Sequence, residues 1–227
     1  WNHRLEILEY KQKSFVLHGR MTKAQSLARK TLGKKFGISR EEMFSLDLTF
    51  PKAKNNVLDI GFGDGEVILY LAKQNPESRF LGIEVHKPGI GSLINKASKL
   101  GLENIKIIED DVEDFISNVK FTAFFNEVLL FFPDPWAKTK HKKRRLVQEQ
   151  FIALLEKVIK KGGFFVSKTD CQDYENQISK LFSKRSGWKR SFISCLPDYL
   201  HDLPVTNFER KAIMDGRESS NIIFQKV

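Results

Sequence analysis

Short apolar segments alternate with amphipathic segments across the middle of the chain, between residues 55 and 170. The apolar segments have the length of strands and lie at 57–60, 80–83, 105–108, 128–132 and 164–166. Before the last of them, apolar side chains recur at helical spacing, at Val147, Phe151, Leu154, Leu155 and Val158. We expect this helix to end at Gly162-Gly163. Strands that alternate with helices are typical of a parallel sheet covered by helices.

The two ends of the chain complete this prediction. Beyond residue 187, apolar residues at 192–193 and 222–224 predict two closing strands, with a proline-containing loop between them. Near the other end, Thr22 and Gln25 have the spacing of a capping box at the start of a basic helix. We therefore predict one doubly wound α/β domain over residues 1–227, with a basic N-terminal arm at about 1–50.

The charge balance indicates a polyanionic partner. Lysines and arginines number 38 against 28 aspartates and glutamates, which gives a net charge of +10. Such an excess favours nucleic acid over a membrane, since no basic amphipathic anchor stands out. The two cysteines, Cys171 and Cys195, lack the spacing of a metal site or a disulfide framework. Because the sequence also shows neither a signal peptide nor a long apolar run, we expect a cytoplasmic protein without a bound metal ion.

A glycine-rich turn follows the first predicted strand directly. Its sequence is Asp59-Ile60-Gly61-Phe62-Gly63-Asp64-Gly65. Glycines at alternate positions let the backbone approach a ligand closely. A dinucleotide-binding turn, which holds a pyrophosphate, has its third glycine one residue later, where this chain has Glu66. The carboxylates of Asp59 and Asp64 would repel a pyrophosphate, but they suit the cationic amino and sulfonium groups of S-adenosylmethionine.

Two further acids follow the next two predicted strands. Glu84 ends the second strand, where a carboxylate can accept hydrogen bonds from both ribose hydroxyls of a nucleoside. Asp111 follows the third strand, where it can accept one from an adenine amino group, although an acid there is also a common helix cap. Open α/β sheets bind ligands at the carboxyl ends of their strands. The two acids, with Gly61 and Gly63 of the turn, therefore predict a site for S-adenosylmethionine.

A rigid acidic segment, Pro133-Asp134-Pro135-Trp136, ends the fourth predicted strand. The two prolines restrict the backbone around Asp134 and present its carboxylate at the rim of the sheet. A run of cations follows at once: Lys138, Lys140, His141, Lys142, Lys143, Arg144 and Arg145. Most charge runs are solvated surface, but this one lies at the ligand-binding edge of the predicted sheet. We therefore interpret the run as a contact surface for RNA phosphates.

These motifs closely resemble the tRNA (guanine-N7)-methyltransferase family, and the resemblance extends from Gly19 nearly to the C-terminus. It is carried by residues 19–25, 58–63, 82–86, 133–136 with the cations after them, 169–170 and 206–209. The resemblance implies a Rossmann-like class I S-adenosylmethionine-dependent methyltransferase fold, with a mainly parallel seven-stranded sheet and an antiparallel closing strand. It also implies that S-adenosylmethionine donates a methyl group to N7 of the guanine at position 46 in tRNA.

The resemblance also assigns roles to matching positions of this chain. Cofactor contacts fall on Asp59, Glu84, Asp111 and Asp134. Substrate contacts fall on Lys138, Asp170, Thr206, Asn207, Phe208 and Glu209, and RNA contacts on Lys140, His141, Lys142, Lys143, Arg144 and Arg145. Asp59 stands where relatives often carry glutamate, so its reach is one methylene shorter. Bacterial relatives act alone, which implies a monomer or homodimer with no obligatory protein partner.

Chemistry constrains the role of the predicted catalytic residue, Asp134. Guanine N7 has a lone pair and no proton, so its methylation needs no general base. We therefore predict that Asp134 positions the reacting groups and stabilises developing positive charge. Asp170 and Glu209 are candidates to accept hydrogen bonds from guanine N1–H and its amino group.

The residues alone leave two alternatives open. One is an S-adenosylmethionine-dependent methyltransferase that acts on another RNA, a protein or a small molecule. The other is a non-catalytic RNA-binding module, which would not need acids at three successive strand ends. A nicotinamide dehydrogenase is disfavoured by Glu66 and by the glycine spacing.

Overall fold

The computed structural model describes residues 19–39, 42 and 53–227, so most of the predicted arm at 1–50 lies outside the described residues. The strands, in chain order, are β1 (Asn56–Ile60), β2 (Arg79–Ile83), β3 (Ile105–Ile108), β4 (Phe125–Phe131), β5 (Ile159–Thr169), β6 (Trp188–Ser191) and β7 (Ser220–Lys226). The α-helices are α1 (Lys23–Phe36), α2 (Glu66–Gln74), α3 (Lys87–Lys99), α4 (Val112–Asn118), α5 (Glu149–Val158), α6 (Gln172–Ser183) and α7 (Asn207–Met214). None of the helices in these ranges is long and apolar enough to cross a membrane.

The seven strands form one sheet in the order β3-β2-β1-β4-β5-β7-β6. The pairs from β3 to β5 are parallel, and β7 lies antiparallel to both of its neighbours, β5 and β6. This confirms the predicted mainly parallel sheet with one antiparallel closing strand. The chain proceeds from β1 outward to β3 and then returns to the other side of β1 as β4. The carboxyl ends of β1 and β4 therefore border the crevice in which such sheets bind ligands.

Apolar side chains cover both faces of the sheet. Along β1, Leu58 and Ile60 belong to one buried cluster and Val57 to the other, as the two-residue period of a strand requires. The first cluster packs against α4, α5 and α6, and the second against α1, α2 and α3. Because both faces are buried, the central strands are almost continuously apolar, which is the pattern that identified them in the sequence.

Two predicted boundaries are wrong in the C-terminal half. Helix α5 ends at Val158, and Gly162 and Gly163 lie inside β5 instead of ending the helix. They belong to a bulge of β5, since β4 pairs Phe125 with Ile159 and then Glu127 with Phe164. Gly162 has a φ of +80°, which glycine adopts readily.

The other wrong boundary concerns the edge strand β6. Its residues are Trp188–Ser191, whereas Phe192, predicted as a strand residue, is 68% exposed and Ile193 begins a short 3-10 turn. An edge strand with one large buried side chain, Trp188, leaves no alternating apolar pattern in the sequence.

The described part of the arm is folded onto the domain. Thr22 and Gln25 form the predicted capping box at the start of α1, with both reciprocal hydrogen bonds present. Helix α1 packs closely on α3, where a Cβ added to Gly91 would come within 2.8 Å of Gln25. After α1, Gly37 forms a parallel bridge with Ile107 at the edge of the sheet.

Candidate functional site

A cavity of about 260 Å³ opens at the carboxyl edge of the sheet, at the crevice between β1 and β4. Segments that follow four successive parallel strands form its walls, and α7 contributes one aromatic ring. The polar, glycine and aromatic residues around it are Gly61, Gly63, Glu84, His86, Asp110, Glu113, Phe131, Phe132, Asp134, Trp136, Arg144 and Phe208. The volume and the mixture of aromatic and acidic walls suit a nucleoside-sized ligand.

The glycine turn after β1 has the backbone that the sequence predicts. Gly61, Gly63 and Gly65 all have positive φ, at 66°, 54° and 78°, a region that other residues enter only with strain. Helix α3 packs against this turn so closely that a Cβ on Gly89 would lie 2.3 Å from the Gly63 carbonyl oxygen. The turn is therefore held from behind while Gly61 and Gly63 face the cavity.

Glu84 and Asp59 form an acidic pair beside this turn. The Glu84 carboxylate lines the cavity and accepts hydrogen bonds from the backbone N–H groups of Gly63 (3.0 Å), Val85 (2.8 Å) and His86 (2.9 Å). Asp59 is 3% exposed, and burial together with the nearby Glu84 charge raises its pKa to about 7. A cationic group bound beside the pair would favour the ionised form of Asp59.

Asp111, the acid after β3 that was predicted to contact the cofactor, does not line the cavity. Asp111 caps α4, because its carboxylate accepts from the N–H groups of Glu113 (2.9 Å) and Asp114 (3.4 Å). Its neighbour Asp110 lines the cavity, as does Glu113, whose pKa is raised to about 7 by burial and then by Asp111 and Asp114. Sequence reasoning missed Asp110, although the preference of helices for an acidic N-cap could have separated the two aspartates.

The segment after β4 combines an acid with strained backbone. Phe132 and Trp136, which flank Pro133-Asp134-Pro135, have positive φ of 49° and 40°. Such a conformation costs a bulky residue about 1–3 kcal/mol and is characteristic of functional sites. It places Asp134 at the rim of the cavity, where partial burial raises the pKa of its carboxyl group. Phe132 and Trp136 also line the cavity, a role that the sequence did not predict for Phe132.

The basic run after this segment is divided between surface and interior. Thr139–Arg144 form a 3-10 helix, and Lys138, Lys140, Lys143 and Arg144 are exposed. The Arg144 guanidinium lies over the Trp136 ring, 5.1 Å from its centroid, and borders the cavity. His141 contacts the same ring edge-on at 5.8 Å. Lys142 donates to Asp173 at 2.8 Å.

Arg145, the last cation of the run, is directed into the protein. Its side chain is 1% exposed and lies over the Tyr174 ring, 4.8 Å from the centroid. The guanidinium donates to the Pro135 carbonyl (2.8 Å), Gln177 (2.7 Å) and Asp173 (2.5 Å). A buried side chain with these partners cannot contact RNA in this structure, so we exclude Arg145 from the RNA surface that the sequence predicted.

The substrate residues predicted near the C-terminus lie at the same edge of the sheet. Thr206 caps α7 and accepts from the Glu209 N–H at 3.2 Å, and Phe208 places its ring in the cavity wall, 6.4 Å from and nearly parallel to Phe132. Two of the predicted acids have cationic partners that the sequence did not reveal. These pairs are Glu209 with Lys168 and Asp170 with Arg217.

Known methyltransferases are similar to this chain in sequence. A family model described as "Putative methyltransferase" matches residues 53–222. The tRNA (guanine-N(7)-)-methyltransferase of Nitrosospira multiformis is 36% identical over 94% of this chain and 94% of its own length. Its counterpart from Nitrosococcus oceani is 42% identical over 78% of this chain and 76% of its own length.

Solved structures show the same fold at low sequence identity. The aminoglycoside resistance methyltransferase NpmB1 aligns with a TM-score of 0.56 at 18% identity, over 84% of this chain and 94% of its own. A SAM dependent methyltransferase from Aquifex aeolicus aligns with a TM-score of 0.52 at 15% identity, over 89% and 98%. The family model and the sequence relatives cover most of the chain, and on that evidence the chain belongs to the tRNA (guanine-N7)-methyltransferase family.

Proposed function

We propose that this protein transfers the methyl group of S-adenosylmethionine to N7 of guanine in tRNA, at position 46. One observation carries the proposal: the cavity has an acidic glycine-rich wall on one side and Asp134 beside exposed cations on the other. A nucleoside cofactor and a polyanionic substrate would thus meet at one rim. Family membership favours tRNA as the substrate over a protein or a small molecule. The proposal includes a cytoplasmic location and action as a monomer or homodimer, without a second kind of subunit.

The residues around the cavity fit S-adenosylmethionine, which when bound supplies an electrophilic methyl group on a sulfonium. Glu84 would accept hydrogen bonds from the ribose hydroxyls, and the Gly61–Gly63 backbone allows close approach. Glu84 lines the cavity and Asp59 lies buried behind it, and a cationic ligand would favour the ionised form of Asp59, whose pKa is otherwise raised to about 7. Asp110, or Asp111 if its cap hydrogen bonds are released, would accept from the adenine amino group.

The chain's own residues account for the chemistry at guanine N7. The purine ring gains positive charge when N7 is methylated, and the Asp134 carboxylate is fixed at the rim by the two prolines. A charge fixed in advance stabilises such a transition state without reorganisation.

Recognition of guanine is proposed for the acids at the end of β5 and in α7. Asp170 and Glu209 would accept from N1–H and the exocyclic amine, groups that adenine does not present in this arrangement. Arg217 and Lys168 hold these two carboxylates in place. The base must leave its stack to enter the site, and Phe132, Trp136 and Phe208 offer aromatic surface to receive it.

The proposed reaction is tested by product analysis. Unmodified tRNA is incubated with the protein and S-adenosylmethionine, and nucleosides are identified by mass spectrometry. We expect 7-methylguanosine, and we expect a transcript with adenine at position 46 to yield none. Methylation at another atom, or no methylation of several tRNAs, would contradict the proposal.

The exposed cations after Asp134 lead to a separate prediction about how tRNA affinity depends on salt concentration. Replacing Lys138, Lys140 and Lys143 by Gln should lower tRNA affinity by at least about tenfold at moderate salt. The slope of log K against log salt should decrease by about 0.7–0.9 for each phosphate that the variant no longer neutralises. A filter-binding titration at several salt concentrations measures both quantities.

A matched triple variant tests whether position matters. Lys99, Lys161 and Lys184 are exposed near the opposite, amino edge of the sheet. Their replacement by Gln removes the same charge, and we expect the salt slope to stay close to that of the unmodified protein. Equal slopes for the two triple variants would show that general charge, and not this surface, binds the RNA.

A further inference from the structure

Glu66 stands where a dinucleotide-binding turn has its third glycine, and the proposed reaction gives it no role. In the structure it is the first residue of α2, and its carboxylate meets the N-terminus of α7, which is 141 residues away in the chain. One carboxylate oxygen accepts from the Asn207 N–H at 2.7 Å, and the other from the Arg210 guanidinium at 2.5 Å. A carboxylate is favoured here, since it lies at the N-termini of two helices.

Arg210 completes the connection from the side of α7. Its guanidinium also donates to the Asn207 side chain (2.7 Å) and to the Val205 carbonyl (2.5 Å). An isolated exposed ion pair contributes little to stability. Here, however, one planar guanidinium donates to three acceptors, on Glu66, Val205 and Asn207. The geometry of the segment that leads into α7 therefore depends on Arg210.

The start of α7, which Glu66 and Arg210 connect to α2, contains two residues of the proposed base site, Phe208 and Glu209. A Cβ placed on Gly63 would lie 3.6 Å from the Phe208 ring, so this ring lies over the glycine turn. Glu209, the next residue, pairs with Lys168 of β5. Helix α7 therefore contacts the glycine turn through Phe208 and the end of β5 through Glu209.

We propose that Glu66 and Arg210 form a clip that positions α7, so that Phe208 and Glu209 are held against the target base. Both are positioning residues, because neither lines the cavity. The inference rests on the proposed function for the identity of the base. The rival interpretation is that Arg210, as an exposed cation near the rim, contacts an RNA phosphate.

Charge and geometry separate the two interpretations. For a phosphate contact, lysine would serve nearly as well as arginine, and removal of the Glu66 charge would strengthen RNA binding. For a clip, the three acceptors are bonded by two different nitrogens of one planar guanidinium, a fork that the single nitrogen of lysine does not reproduce. Loss of the Glu66 charge would loosen α7. The positioning effect should appear in kcat, while KM for tRNA is set mainly by phosphate contacts elsewhere.

The experiment is steady-state methylation of tRNA by Arg210→Gln, Arg210→Lys, Glu66→Gln and the Glu66→Gln/Arg210→Gln double variant. We expect Arg210→Gln to lower kcat about tenfold with KM within about twofold, and Arg210→Lys to recover little of the loss. Glu66→Gln should lower kcat as well, and the double variant should be no worse than Arg210→Gln, since both changes break one connection. Lys211→Gln, which removes an exposed neighbouring charge, is the matched control.

Full recovery in Arg210→Lys, unchanged or increased kcat in Glu66→Gln, or multiplicative losses in the double variant would overturn the clip. Amide hydrogen exchange supplies a second readout that needs no activity. Both single Gln variants should exchange faster at residues 205–210, while exchange in β1 and β4 stays unchanged. If the unmodified protein gives a product other than 7-methylguanosine, the proposed function fails, and the exchange measurement still decides the clip.

Discussion

Asp134→Asn is expected to lower the single-turnover rate of tRNA methylation by roughly 100-fold, while tRNA affinity stays within about twofold. The substitution keeps the size and hydrogen-bonding oxygen of the side chain but removes the charge that faces the developing cation. The two prolines and the strained residues Phe132 and Trp136 hold the segment in place in both proteins. Rapid mixing of tRNA with excess enzyme and saturating S-adenosylmethionine measures the rate of the chemical step.

The pH dependence of the same rate follows from the Asp134 environment. Partial burial raises the pKa of this carboxyl group. Its active, ionised form is therefore lost as the pH falls through that raised pKa, at a higher pH than for a fully solvated aspartate. In Asp134→Asn the part of the decline at the Asp134 pKa should disappear, while Asp59 and Glu113, whose pKa values are raised to about 7, titrate in both proteins. Asp198→Asn, which removes an exposed carboxylate outside the cavity, should leave the rate and its decline unchanged.

A solvent isotope measurement distinguishes positioning from base catalysis. A carboxylate that only positions and stabilises transfers no proton, so the single-turnover rate should be nearly equal in H₂O and D₂O. A large solvent isotope effect, together with complete loss of activity in Asp134→Asn, would show that Asp134 acts as a base. An Asp134→Asn variant with unchanged rate would contradict both roles.

Much of the fold and part of the site could be predicted because their signals are local. Strands buried on both faces produce continuous apolar runs, and the turn after β1 needs glycines at fixed positions. Glu84 and Asp134 directly follow strands, so the rule that ligands bind at strand carboxyl ends places both at the cavity. These features depend on a few consecutive residues, which is why a single sequence reveals them.

Other features depend on contacts between distant segments, and no local pattern carries them. The glycine pair Gly162-Gly163 has the local pattern of a helix end, but it lies in a bulge of β5 that forms where β5 pairs with β4. The partners of Glu66 and Glu209 come from α7 and β5, and pairs at such separations leave no spacing signal. Asp111 is a different case, because two adjacent aspartates fit the motif and only the helix cap distinguishes them.

Arg145 shows most clearly how a charge run can mislead, and its replacement has the second large expected effect. Arg145→Ala should destabilise the fold by about 2–3 kcal/mol, since it empties a buried site and leaves Gln177 and the Pro135 carbonyl without their donor. In a domain of this size that corresponds to a melting temperature lower by about 5–10 °C. Calorimetry or thermal circular dichroism measures the change.

The matched comparison is Lys140→Ala, in the same run but exposed. We expect Lys140→Ala to lower the salt slope of tRNA binding by about 0.7–0.9 without affecting the melting temperature. Arg145→Ala should do the reverse at temperatures where it remains folded, and it should also slow methylation because Pro135 is adjacent to Asp134. An Arg145→Ala protein that melts normally and binds tRNA with a reduced salt slope would show that Arg145 contacts RNA. The expected contrast would show that one basic run serves two purposes: its exposed lysines bind RNA, and its last arginine holds the catalytic segment from inside.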